Sequence, residues 1–332
     1  MKKVTLIFSF LLAGSMAFAQ NTATVDQTGA SNTADVSQAG KNTASALQNG
    51  DLNISEQIQS GQENLATVQQ TGVGTTGTTT LQNTAFQSQT GDENTATIIQ
   101  KEQGNHSGSQ TQIGDGNIAT IDQRNPWGSA NAGNVSTQFQ RGDDNTATVN
   151  VFNGGNGSDQ LQRGDRNWSL INQAQSGNFA SHSQRGDDNY AFSGQSSGSQ
   201  FVTISQIGDN NIATTRQGGG QGNSVMISQT GDRNNIGDIP YWANSGDNYG
   251  IDQVGNDNFA EMMQRGDENN HFVRQTGDEN TVDIDVRGND NMGLILQEGS
   301  FNIANLSQRG DGHAATINQM GNGNVANVMQ RP

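Results

Sequence analysis

The sequence predicts an all-β fold, a β-solenoid of stacked strand-turn-strand coils of about 22 residues each with amyloid-like cross-β character. Three observations predict it. An eleven-residue beat, Asn-x-Ala-x-Val/Ile-x-Gln-x-Gly-x-x, runs through almost the whole chain. Its marked residues fall at alternate positions and so share one face of a strand. A Gly two positions after the Gln, usually followed by Asp, Asn or another Gly, supplies the backbone freedom of a tight turn.

The N-terminus reads differently from the rest. Lys2 and Lys3 precede an apolar run from Val4 to Leu12, and Ala17-Phe18-Ala19 offers a small-x-small cleavage site before Gln20. Residues 1–19 are therefore expected to be a secretory signal peptide. The apolar run is too short to span a bilayer, so no membrane insertion is expected.

From Gln20 the repeat begins at once. Asn21, Ala23, Val25 and Gln27 set it, and Asn32, Ala34, Val36 and Gln38 follow. It recurs at Asn94 to Gln100 and Asn302 to Gln308, and the last copy is Asn324, Ala326, Val328 and Gln330. One such strand buries nothing alone, whereas copies stacked at roughly 4.8 Å bury the marked face against their neighbours. Stacked Asn and Gln side chains can hydrogen-bond to their copies above and below, as in cross-β amide ladders. A narrow core of that kind suits a chain with only 30% hydrophobic residues, too few for an ordinary sandwich. Over the middle the fifth position alternates between apolar and polar in Val149, Gln160, Ile171 and His182, which doubles the unit to two strands per coil.

The rhythm breaks at 72–82, at 124–133 and at 235–247, where Pro126, Trp127, Pro240, Tyr241 and Trp242 lie. Pro cannot donate to a ladder and belongs in loops or at edges. The last break is expected to divide 20–332 into a long block and a shorter, more aliphatic one.

Charge and chemistry exclude several function classes. The formal charge of -16, about -18 without Lys2 and Lys3, argues against nucleic acid and anionic lipid as partners. With 0 Cys, no disulfide or thiolate metal site is available. His182, His271 and His313 occupy repeat slots and His106 is expected to point outward, so no metal site is expected. Acidic turns such as Asp187-Asp188 invite a calcium reading, but the calcium-binding β-roll has a nine-residue period. Gly72-x-Gly74-x-x-Gly77 and Gly194-x-Ser196-x-Gly198 match nucleotide-binding and hydrolase motifs by letter only, without the helix that either requires. Arg141-Gly142-Asp143 recurs every 22 residues at Arg163 and Arg185 and reads as an Arg/Asp charge ladder along one edge. No catalytic residue and no cofactor are expected.

The spacing of Gln27, Gly29, Asn32, Ala34 and Gln38 resembles the curlin repeat of curli fibre subunits, and the resemblance covers nearly all of residues 20–332. It implies a β-solenoid subunit, exported through an outer-membrane secretion pore, that self-assembles into extracellular amyloid fibres active in adhesion and biofilm. It also implies a related nucleator or companion curlin subunit. Curlin subunits have about five 22-residue repeats, so this chain is much longer than the pattern. The ladder residues expected to carry end-to-end assembly are Asn21, Gln27, Asn32, Gln38, Asn94, Gln100, Asn302, Gln308, Asn324 and Gln330. A monomeric surface-binding solenoid or adhesin is the alternative. It calls for a regular Thr-rich outer face, and Thr here reads as scattered.

Overall fold

The computed structural model describes residues 20–72, 75–76, 79–80, 82–102, 105–126, 133–236 and 250–332. The expected signal peptide 1–19, and the Trp127 and Pro240-Tyr241-Trp242 parts of the insertions, lie outside the described residues. Two compact units divide between Arg166 and Asn167. Each is a parallel β-solenoid, and no helix occurs among the described residues.

In the first unit, Thr22–Thr28 pairs in parallel with the second half of the long strand Thr33–Asn49, Ala23 facing Ala44 and Gln27 facing Gln48. Both halves of that strand pair with Ile54–Thr71, Thr33 facing Ile54 and Thr43 facing Leu65, and the ladder shifts between Lys41 and Thr43, where the chain rounds the corner. Like therefore stacks on like one coil on, and two sheets run side by side with the marked faces inward. Pairing survives the first insertion, because Ile54 faces Thr84 across it. Thr75–Thr76 and Thr79–Thr80 form a small antiparallel hairpin within it.

In the second unit the same rule holds from Trp168–Gln173 to Val325–Gln330. The chain leaves the ladder after Asn235–Ile236 and returns at Ile251–Val254, and both pieces pair with the single strand Ile212–Gly218. Ser224–Thr230 pairs with Phe259–Arg265 across the same gap. Buried aliphatic residues line the core well before this point, at Val68, Ile98, Ile121 and Val149 in the first unit and at Ile171, Ile204 and Ile227 in the second.

The turns explain the glycines. Gly142 has φ 118°, and a Cβ there would lie 2.3 Å from the carbonyl oxygen of Gly164 in the next coil. Two residues on, Asp144 takes the left-handed conformation at φ 56°. The Asp between them also has a fixed task. Asp115 N–H donates to Asp143 Oδ1 at 2.9 Å, and Asp143 N–H to Asp165 Oδ1 at 2.8 Å. Carboxylates thus do stack in columns on one edge, each held by a backbone donor of the preceding coil.

This overturns the Arg/Asp charge ladder. Arg141 stacks on Arg163 in register, and neither enters an ion pair among the described residues. The aspartates beside them spend an oxygen on the backbone instead. Of the corresponding arginines in the second unit, Arg287 pairs with Asp285 at 3.2 Å.

Two further expectations are corrected. His106 is not outward-facing; it is fully buried in the Asn slot between Asn83 and Asn134. Thr is not scattered on the outer face of the first unit. Thr24, Ser45, Thr67, Thr97, Thr120 and Thr148 follow one another in register.

Candidate functional site: the amide ladders and their open ends

Two kinds of amide ladder line the core, and their polarities are opposite. Gln48 Nε2 donates to Gln70 Oε1 in the next coil at 2.9 Å, and Gln70 Nε2 to Gln100 Oε1 at 2.9 Å. The second Nε2 hydrogen goes to a backbone carbonyl, Thr33 for Gln48 and Ile54 for Gln70. A carbonyl only accepts, so it fixes the amide with its donor end facing the following coil.

Asn side chains donate the other way. Asn94 sends its N–H and its Nδ2 to Oδ1 of Asn64 in the preceding coil, both at 3.0 Å, and its remaining hydrogen to the Gly114 carbonyl at 2.6 Å. Each such bond contributes about 1 kcal/mol net, whereas an amide buried without its partner costs ~1–3 kcal/mol. The ladders therefore penalise loss of register more than they reward any one contact.

The expected ladder residues all lie in these columns. Asn94 and Gln100 are fully buried interior rungs, and Asn302 and Gln308 are buried one coil from the C-terminal edge. Asn21, Gln27, Asn32 and Gln38 form the N-terminal edge, and Asn324 and Gln330 belong to the C-terminal edge. Sequence reading placed His313 in a repeat slot but gave it no part in assembly, and it missed Gln319 on the strand that follows His313 in that last coil, although its spacing from Gln308 was visible. It also missed a third buried ladder, Gln57, Gln87, Gln110, Gln138 and Gln160, filling the aliphatic slot of one sheet in the first unit.

The edges expose complementary halves of the ladder. At the N-terminal edge, Gln27 and Gln38 donate forward to Gln48 and Gln59, and their Oε1 atoms accept nothing among the described residues. At the C-terminal edge, Gln319 and Gln330 each use Nε2 on one carbonyl, of Ile303 and Ala314, and keep a second hydrogen. Asn324 has its donors on Asn302 Oδ1 and the Met320 carbonyl, and its own Oδ1 accepts nothing among the described residues.

Where a rung is missing, other side chains close the gap. Val151 stands opposite Gln123, and Gln123 Nε2 turns to Ser136 Oγ at 2.9 Å, itself held by Ser158 at 2.8 Å. Val286 stands between Gln264 and Gln308, and His271 from the facing sheet bridges them at 2.9 and 2.7 Å. Gly293 makes room, since a Cβ there would lie 2.4 Å from the His271 ring. His182 lies between Ser169 and Ser193, 2.9 Å from each. Burial pushes His182 down to about 3, and His271 and His106 down to about 4. A hydrogen bond to Gln308 partly opposes the shift at His271, and one to the Lys101 backbone opposes it at His106.

At the charged edge, Arg233 donates to Glu268 at 2.8 Å and lowers its pKa. A hydrogen bond to Glu268 raises that of Asp290. Among the described residues no three His, Asp or Glu side chains converge as metal ligands.

A family model described as the curlin associated repeat matches residues 18–40, 255–285 and 288–319. No curated protein matches the chain. The three regions carry curlin associated repeats, the repeat of a structural family, and nothing in the ladders points to catalysis.

Proposed function

We propose that the chain is an exported structural subunit that adds copies end to end into a cross-β fibre of the extracellular matrix, serving adhesion and biofilm. The carrying observation is the complementarity of the edges. Gln319 and Gln330 offer forward donors, and Gln27 and Gln38 offer the matching acceptors. Unpaired strands at both edges are templates for β-augmentation. A donor-to-acceptor junction is head-to-tail, and head-to-tail contacts that do not close give filaments.

Export rests on Lys2, Lys3, the Val4 to Leu12 run and Ala17-Phe18-Ala19. An outer-membrane secretion pore and a related nucleator or companion subunit are the partners that the curlin repeat suggests.

The test is seeding. Residues 20–332 diluted from denaturant are incubated with and without sonicated fragments of their own aggregate, and elongation is followed by electron microscopy. Unbranched fibres with a lag removed by seeds support the reading; a monomer indifferent to seeds overturns it.

A second reading has one specific observation behind it. The in-register Thr67, Thr97, Thr120 and Thr148 column makes a regular hydroxyl face on the first unit, as a monomeric surface-binding adhesin would need. A soluble monomer that adsorbs to surfaces, and loses adsorption when these Thr become Lys, would favour it.

A further inference from the structure

His313 occupies the Asn slot on one sheet of the last coil. Its N–H donates to Asn291 Oδ1 at 2.9 Å, as a slot Asn does. Its Nε2 lies 3.0 Å from the Arg309 carbonyl four residues back. A slot Asn can donate to the same carbonyl four residues back: Asn324 Nδ2 donates to Met320 O, and Asn32 and Asn64 donate to Thr28 O and Ser60 O besides the carbonyl of the following coil. Because a carbonyl cannot donate, Nε2 must carry the hydrogen, and in the neutral ring Nδ1 is then an acceptor.

His106 shows what that acceptor does. It sits in the same slot in the interior of the first unit, where its Nδ1 accepts the backbone N–H of Asn134 in the next coil at 3.2 Å. A histidine can thus replace the Asn Oδ1 that otherwise receives the following coil.

We propose that His313 Nδ1 is the acceptor with which the C-terminal edge of one copy captures the Asn21 backbone N–H of a second copy, so that subunit addition requires a neutral imidazole. The partner is another molecule of this chain, docking through Asn21 to Thr28, and the inference rests on the end-to-end reading above. Three features of the edge agree. Asn21 heads the N-terminal strand, its N–H is unpaired among the described residues, and the flanking Gln319 donor meets Gln27 in the same register. Protonation would turn Nδ1 into a second donor aimed at a donor. The charged groups about this turn are Arg309 and Asp311 on the turn itself and Asp290 on the turn before it, and Pro332 packs against Gly310 beside His313. All of them stay in place in the variants below.

The experiment is seeded elongation of residues 20–332 at about pH 7.5 and about pH 5.5, for the wild type, His313→Asn and His313→Phe. His313→Asn restores the usual slot residue and should elongate like wild type at the higher pH. At the lower pH the wild type should slow about tenfold relative to His313→Asn, because of the two side chains only the imidazole can lose its acceptor by taking up a proton. His313→Phe, which has no acceptor, should be slow at both. Identical pH profiles for wild type and His313→Asn, or wild-type rates for His313→Phe, would overturn the role of His313 while leaving end-to-end growth intact. Absence of elongation by every variant at both pH values would overturn the end-to-end reading and this role with it.

Discussion

His271 Nε2 lies 2.7 Å from Gln308 Oε1 and donates to it, so that an imidazole from one sheet completes a glutamine ladder on the other. The rung between Gln264 and Gln308 is Val286, which can neither donate nor accept. Gly293 above His271 supplies the space. Three positions scattered in sequence thus replace one consensus Gln, a local break of the rule with its compensation in reach.

The first prediction follows from that cluster. His271→Ala strands the Gln264 and Gln308 amides and should lower stability by at least ~2 kcal/mol. Val286→Gln alone should also destabilise, because it crowds the imidazole. The double variant rebuilds the ordinary ladder and should recover most of the loss. Guanidinium midpoints of the four proteins give the coupling, and strictly additive effects would refute the bridge.

A second prediction concerns pH. His182 at about 3 and His271 at about 4 lie below the unfolded value of about 6.5. Above about pH 6.5 both states are neutral there and the imidazoles leave stability unchanged. As pH falls below that value the unfolded chain binds protons that the folded chain refuses, so stability is lost down to about pH 3–4. His182→Gln installs the residue that fills this slot at Gln138 and Gln160. It should flatten the fall by close to one proton; an unchanged slope would show that His182 does not contribute.

The turns make a third prediction. Gly142→Ala combines φ 118° with a Cβ 2.3 Å from the Gly164 carbonyl oxygen. It should cost more than ~2 kcal/mol and displace the coil. Glu93, at φ 59°, is an L-residue in the left-handed region. Glu93→Gly relieves ~1 kcal/mol of strain there, less what the unfolded chain gains in freedom. It should be neutral to stabilising by thermal melting, the opposite sign from Gly142→Ala.

Much of this was legible in the sequence, because strand alternation and turn glycine are local rules. The inward placement of Asn94, Ala96, Ile98 and Gln100 followed from period two alone. His106 was misjudged because counting five residues on from Gln100 reaches Asn105. Five residues, not the usual four, separate Gln100 from the slot, so Asn105 accepts from Gln82 N–H while His106 enters the slot. The Arg columns misled because letters do not show that Asp143 and Asp165 are engaged by backbone donors. The Thr column and the His271 bridge depend on which coil stacks on which, a relation fixed only by the register.

The fourth prediction compares ladder with edge charge. Gln27→Ala and Gln38→Ala together remove both N-terminal acceptors, whereas Arg163→Ala and Arg185→Ala remove side chains that form no ion pair among the described residues. Fibre growth should slow by tenfold or more in the first variant, as two lost bonds of about 1 kcal/mol each imply. The second should grow at nearly the wild-type rate. Equal growth of the two, followed by seeded kinetics, would count against the ladder as the assembly surface.

The central claim is that the amide ladder continues from one molecule into the next, and fibre X-ray diffraction on aligned material from residues 20–332 tests it most directly. The account predicts a sharp meridional reflection at about 4.7–4.8 Å, the strand spacing along the fibre axis. Fibres lacking that reflection, or showing it only on the equator, would place the strands along the axis and contradict end-to-end stacking of the coils.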